Sequence, residues 1–129
     1  MNIFKIGDTD FGIGEVVFNI DKENHIFDLK IKGNKEFYKQ IKSDESSEWN
    51  WTLYAPEVYF RNISCQHFDT IEITIDDALL DEYDIALYLM EYNDFFGTLI
   101  ISDNCTEIKG ETEILGEIYD LEILVERTI

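Results

Sequence analysis

The chain has 129 residues, 45% hydrophobic and 14% aromatic, with 28 acidic against 10 basic side chains and a formal net charge of −18. That length and apolar content fit one domain over 1–129 built on one core, and they exclude disorder, which lacks the aromatic and branched residues a core needs. So negative a field also excludes nucleic acid and anionic membrane as partners and favours a basic protein.

Alternation of apolar and polar residues with period two, the mark of a half-buried strand, recurs along the chain. It places strands at 2–6, at 15–20 and around Phe27, Leu29 and Ile31, with Asp21 to Asn24 turning the chain between the last two. Gly33-Asn34 reads as the two-residue link of a tight hairpin leading into a strand at 36–42. A polar loop at 43–47 precedes Trp49, Trp51 and Leu53, which share one face of a further strand. Ala55-Pro56 breaks the pattern before a strand at 57–64, and Ile71, Ile73 and Ile75 mark the next.

Asp76 to Tyr83 reads as one turn of helix or a loop. Strands at 84–92 and 97–102 follow, with Asn93 to Gly97 as the tip between them. The last strand alternates through Tyr119, Leu121, Ile123, Val125 and Arg127, and Gly116 before it reads as a β-bulge. About ten short strands and at most one short helix predict a mainly β fold, an antiparallel sandwich or barrel.

Met1 to Asp10 has neither the basic start nor the long apolar run of a secretory signal, and no stretch approaches the roughly 20 apolar residues of a membrane span. A cytoplasmic setting is therefore expected. There Cys65 and Cys105, far apart and without metal-type spacing, are expected as free thiols.

Catalytic patterns are incomplete. Asp8, Asp10 and Gly12 resemble the start of a calcium loop, but Ile13 and Asn19 stand where its glycine and bidentate glutamate belong. Paired carboxylates carry no signal in a chain this acidic, and His25 and His67 lie in unrelated contexts. Cys65 and His67 lack an orienting third group, and Gly12 and Gly14 lack the third glycine of a dinucleotide loop. The reading is a non-enzyme with no cofactor and no metal.

The charge itself is uneven. Residues 1–65 hold 11 acids and 8 bases, whereas residues 66–129 hold 17 acids and only Lys109 and Arg127 as bases. The densest run is Asp76, Asp77, Asp81, Glu82 and Asp84, with Tyr83 inside it. Tyr83, Tyr88 and Tyr92 interleave with acids, and tyrosine offers wide contact area at low entropy cost. A surface of that kind suits a partner rich in arginine and lysine. The aromatics from Trp49 to Phe60 allow a different class, a carbohydrate-binding sandwich.

The segment Trp49-Asn50-Trp51-Thr52-Leu53-Tyr54-Ala55-Pro56-Glu57-Val58-Tyr59-Phe60-Arg61-Asn62-Ile63 resembles a W-x-LY…VY-x-(R/Q)-N-x-(I/V) pattern found in some bacterial immunity proteins. These are the cognate antitoxins of contact-dependent and related polymorphic toxin systems. The resemblance implies a small cytoplasmic protein that binds and blocks one toxin domain. Many such toxins are basic nucleases, for which an acidic inhibitor mimics phosphate charge. The expected docking residues are Asp76, Asp77, Asp81, Glu82, Tyr83 and Asp84, with Glu91 and Asp94 nearby. A monomer is expected, since so large a net charge opposes self-association.

Overall fold

The computed structural model describes residues 2–52 and 54–126. In chain order the elements are β1 (Ile3–Ile6), β2 (Thr9–Asp10), β3 (Glu15–Asp21), β4 (Ile26–Lys32), α1 (Lys35–Ser43), β5 (Glu57–Ser64) and β6 (Ile71–Ile75). They continue as α2 (Asp77–Glu82), β7 (Asp84–Tyr88), β8 (Tyr92–Asn93), β9 (Phe95–Ile101), β10 (Cys105–Ile114) and β11 (Glu117–Glu126). Every strand pairing is antiparallel. One sheet has the order β2-β1-β11-β10-β9-β6 and the other β3-β4-β5-β7-β8. The fold is a β-sandwich, and no barrel closes.

The inner faces build one core. Phe27, Leu29, Ile31, Val58, Phe60, Ile85 and Leu87 come from one sheet; Phe4, Ile6, Ile75, Phe95, Leu99, Ile108, Leu121 and Ile123 come from the other. Phe60 and Phe95 meet edge-to-face across the gap, ring centres 5.7 Å apart. Burying a side chain of this size contributes roughly 1.5–3 kcal/mol, so the two inner faces supply most of the favourable energy of folding.

Two segments expected as strands are not. The predicted strand at 36–42 is helix α1. Asn34 does not close a hairpin but caps the helix, its Oδ1 accepting from the backbone N–H of Glu36 at 2.8 Å and of Phe37 at 3.2 Å. Tyr38 and Ile41 then face the core at helical spacing, and Lys42 sits favourably in the last turn. With the six-residue α2 there are two short helices, not one at most.

Where a strand was expected from Trp49 to Leu53, the described residues 49–52 form turns instead. Asp44 accepts from Ser46 N–H, Asn50 Nδ2 donates to the Glu45 carbonyl, and Thr52 Oγ1 donates to the Trp49 carbonyl. Short polar side chains here bond the local backbone, which competes with pairing into a sheet. Leu53 and Arg127, which completed two of the expected alternations, lie outside the described residues.

Two further readings change. The long central strand β10 was not expected, and the strand at 84–92 stops at Tyr88 before the short β8. The tip expected at Asn93 to Gly97 is occupied by the end of β8 and the start of β9. Leu115-Gly116 is a two-residue hairpin turn between β10 and β11, not a bulge, because Ile114 pairs directly with Glu117. The bulge lies elsewhere: between Phe27 and Leu29 the β4–β5 register shifts, and Asp28 Oδ1 accepts from Asn62 N–H at 2.7 Å.

Gly97 and Gly110 face each other across β9 and β10. A Cβ on Gly110 would overlap the Phe96 carbonyl, and one on Gly97 would overlap the Lys109 carbonyl. The two backbones pass too closely for any side chain. Gly110→Ala is therefore expected to lower stability by about 2–3 kcal/mol, read as an earlier urea midpoint with an unchanged slope. An unchanged midpoint would mean that the strands are further apart than described.

Candidate docking surface

Asp76 caps α2, accepting from the Leu79 N–H at 2.9 Å, and Asp77 occupies the first turn. Two acids there favour the positive helix end. Asp81 and Glu82 follow on the exposed side, while Tyr83 is half-buried and packs against the core. Asp84 opens β7 and pairs with Arg61 at 2.9 Å. These six residues thus form one edge of the molecule, where the chain crosses between sheets.

Glu91 does not join them. It lies in the turn beyond Tyr88, at the far end of β7 from Asp84. Four residue steps at about 3.3 Å each put some 13 Å between the two ends. Asp94 is exposed between β8 and β9, and its carbonyl accepts from the Thr112 hydroxyl at 2.8 Å. The expected eight-residue site is a six-residue edge with two outliers.

A larger acidic surface is built by β9, β10 and β11, whose acids are scattered along the chain and meet only through strand pairing. On the outer face of the sheet, Phe96, Glu111 and Asp120 stand in one cross-strand row, and Glu113 and Ile118 in the next. Ile75 pairs with Gly97, so Asp76 continues from β6 toward the level of the Phe96 row. Among the described residues no Lys or Arg lies within ion-pair distance of Asp76, Asp77, Glu111, Glu113, Glu117 or Asp120. Glu111 directly opposite Asp120 is an unfavourable like-charge pair. Between the carboxylates three apolar side chains face solvent: Phe96 at 42% exposure, Leu115 at 69% and Ile118 at 70%.

Leu115 adds strain. Its φ is +52° and that of Gly116 is +82°, the paired left-handed values of a type I′ turn. Asn or Asp normally fills the first place, and a leucine there pays steric energy while leaving its side chain in water.

The hairpin end also meets the turn at 48–51. Glu48, Trp49, Trp51, Ile114, Leu115, Glu117 and Tyr119 line a concavity of about 270 Å³. Trp49 is buried at 1% exposure between Phe11 and Tyr119, and its Nε1–H has no acceptor among the described residues. The Tyr119 hydroxyl donates to Glu117 at 2.8 Å, with a Glu48 carboxylate oxygen at 3.4 Å. The hydrogen bond to Glu117, then burial, then the Glu48 charge push its pKa up to about 12.

The aromatics of the other sheet are tyrosines rather than tryptophans. Tyr54, Tyr88 and Tyr92 contact one another in series, Tyr92 meets Tyr59 edge-on, and Arg61 lies 4.2 Å from the Tyr59 ring centre. Burial, then the Asp84 charge, raises Tyr59 to about 12. Lysines collect on the same side of the fold: Lys32, Lys35 and Lys39 line a hollow with Tyr54.

Of the catalytic fragments weighed in the sequence, Asp10 closes the turn after β1 by accepting from Phe4 and Gly12 N–H. Cys65 and Cys105 are free, and the Cys65 thiol donates to the His67 carbonyl, not to its imidazole. Among the described residues no group of three or more His, Cys, Asp or Glu is placed to hold a metal, and no helix is long and apolar enough to cross a membrane. Compared with protein-family models, curated proteins and solved structures, the chain matches none.

Two measurements check this geometry. Leu115→Asn is expected to stabilise the fold by about 1 kcal/mol, by relieving left-handed strain; a loss of stability would contradict the turn assignment. In alkaline solution, Tyr59 and Tyr119 hold their protons beyond the ordinary value near 10. Their contribution is complete below pH 10 and is lost as the pH rises toward 12, because the unfolded chain ionises first. Stability should fall across that window, and less steeply in Tyr119→Phe. An identical slope in the variant would remove Tyr119 from the account.

Proposed function

We propose that this chain is a non-catalytic acidic inhibitor of the immunity type, which binds a cognate basic toxin domain in the cytoplasm and acts as a monomer. The observation that carries the reading is the outer surface of β9, β10 and β11: unpaired carboxylates around exposed Phe96, Leu115 and Ile118. Apolar anchors within a polar rim are the anatomy of a protein interface. Carboxylates of one sign speed encounter with a basic partner above the roughly 10⁵–10⁶ M⁻¹s⁻¹ of neutral association. The edge formed by Asp76, Asp77, Asp81, Glu82, Tyr83 and Asp84 extends this surface around the side of the fold. The resemblance of Trp49–Ile63 to immunity proteins supports the same reading.

A second reading, a carbohydrate-binding sandwich, is favoured by one feature, the exposed Tyr54–Tyr88–Tyr92 series. The burial of Trp49 removes the tryptophan platform that the sequence suggested for it.

The test is co-purification with the product of the adjacent upstream gene, at low and at high salt. A one-to-one complex that weakens with salt is expected. Asn and Gln substitutions at Glu111, Glu113 and Asp120 should weaken it at least tenfold at low salt and flatten the salt dependence. The same treatment of Asp76, Asp77, Asp81, Glu82 and Asp84 should have a smaller effect of the same sign; Asp76→Asn keeps the helix cap. A complex indifferent to salt and to both sets would overturn the acidic interface.

A further inference from the structure

We propose that the concavity between the hairpin tip and the turn at 48–51 is a binding site for one guanidinium group, presented as an arginine side chain of a polypeptide. As the point where a toxin domain would insert an arginine, it rests on the inhibitor reading above. Its chemistry stands on the pocket alone.

Three observations converge on that group. The first is a poorly served acceptor. Tyr119 has a single hydroxyl proton for two carboxylates, Glu117 at 2.8 Å and Glu48 at 3.4 Å, so the bond to Glu48 is long and weak. Neither glutamate is paired with a Lys or Arg among the described residues. Two carboxylates converging on one hydroxyl repel each other, and a cation between them would relieve this. Guanidinium suits the task better than ammonium, because its planar fork can donate to two carboxylates at once.

The second observation is the wall. Trp51, half-buried, and the Tyr119 ring flank the space, and flat guanidinium stacks on such rings. The volume of about 270 Å³ falls below the roughly 300–1,000 Å³ of sites for whole drug-sized ligands, which suits one side chain. The third is the Trp49 indole N–H, buried in the same wall without an acceptor. The exposed Leu115 at the rim would cover the aliphatic part of the arriving side chain.

Both tryptophans of the chain line this pocket, so their two indole N–H resonances report on it without interference. The experiment titrates the intact chain with N-acetyl-arginine amide and follows those resonances. A saturable shift of both signals is expected, with binding at least tenfold weaker in the double variant Glu48→Gln, Glu117→Gln. The citrulline analogue, which has the same shape without the charge, should produce little shift in the unaltered chain. Equal responses to arginine and citrulline amides, or no saturable shift, would overturn the proposal even if the double variant failed to fold. N-acetyl-lysine amide binding as tightly as the arginine compound would also overturn it, by removing the role of the planar fork. Because no partner is present, a silent pocket beside an intact toxin complex would sink the pocket alone. Arginine binding without any toxin complex would support the pocket and leave the inhibitor reading unsupported.

Discussion

The structure depends on the ten-residue pairing of β10 with β11. From Cys105↔Glu126 to Ile114↔Glu117 the register is unbroken, and these two strands are the centre of the six-stranded sheet. Because side chains alternate strictly, that register divides the hairpin's residues between two environments. Thr106, Ile108, Thr112, Ile114, Leu121, Ile123 and Val125 go inward to the core. Glu111, Glu113, Ile118 and Asp120 are left outside. A slip by one position would bury the carboxylates, which is energetically prohibitive, so the pattern that fills the core also fixes the acidic face. The close passage at Gly97 and Gly110 holds the neighbouring strand β9 in step and brings Phe96 beside Glu111.

That face carries a cost to folding. Glu111 opposes Asp120, Leu115 takes a left-handed backbone, and Leu115 and Ile118 stand in water. None of these helps the isolated chain, and each would be relieved or used by a basic partner. A cation between the carboxylates would offset their repulsion, and a docked surface would cover the apolar side chains. The opposite sheet has left-handed residues and exposed apolar side chains of its own, His25 and Asn62, Val16, Ile20 and Tyr92, but carboxylates there are paired with bases, Glu15 near Lys30 and Asp84 with Arg61.

Much of the fold was legible in the residues. Regular alternation at Phe27–Ile31, Ile71–Ile75 and Tyr119–Val125 announced real strands, and an antiparallel all-β fold followed from it. The failures have physical causes. Strand β10 was hidden because its inward positions include Thr106, Gly110 and Thr112, which break the apolar count while fitting a tight sheet centre. Asn34 reads equally well as a turn residue or a helix cap, and the spacing of Phe37, Tyr38 and Ile41 decides for the cap. The Trp49–Trp51 alternation failed because its polar neighbours satisfied the backbone locally. For the site, the run at 76–84 was visible as adjacent letters. Glu48, Phe96, Glu111, Glu117 and Asp120 were not, because only pairing in space brings them together.

The central claim is that the outer face of β9, β10 and β11 receives a basic protein. The most direct measurement is backbone and indole chemical-shift mapping of the isotope-labelled chain, free and saturated with the adjacent gene's product. The account predicts that the largest changes cluster at Phe96, Glu111 to Asp120 and the Trp51 indole. Changes confined to Tyr54, Tyr88 and Tyr92 on the opposite sheet would contradict it and move the interface to the tyrosine face.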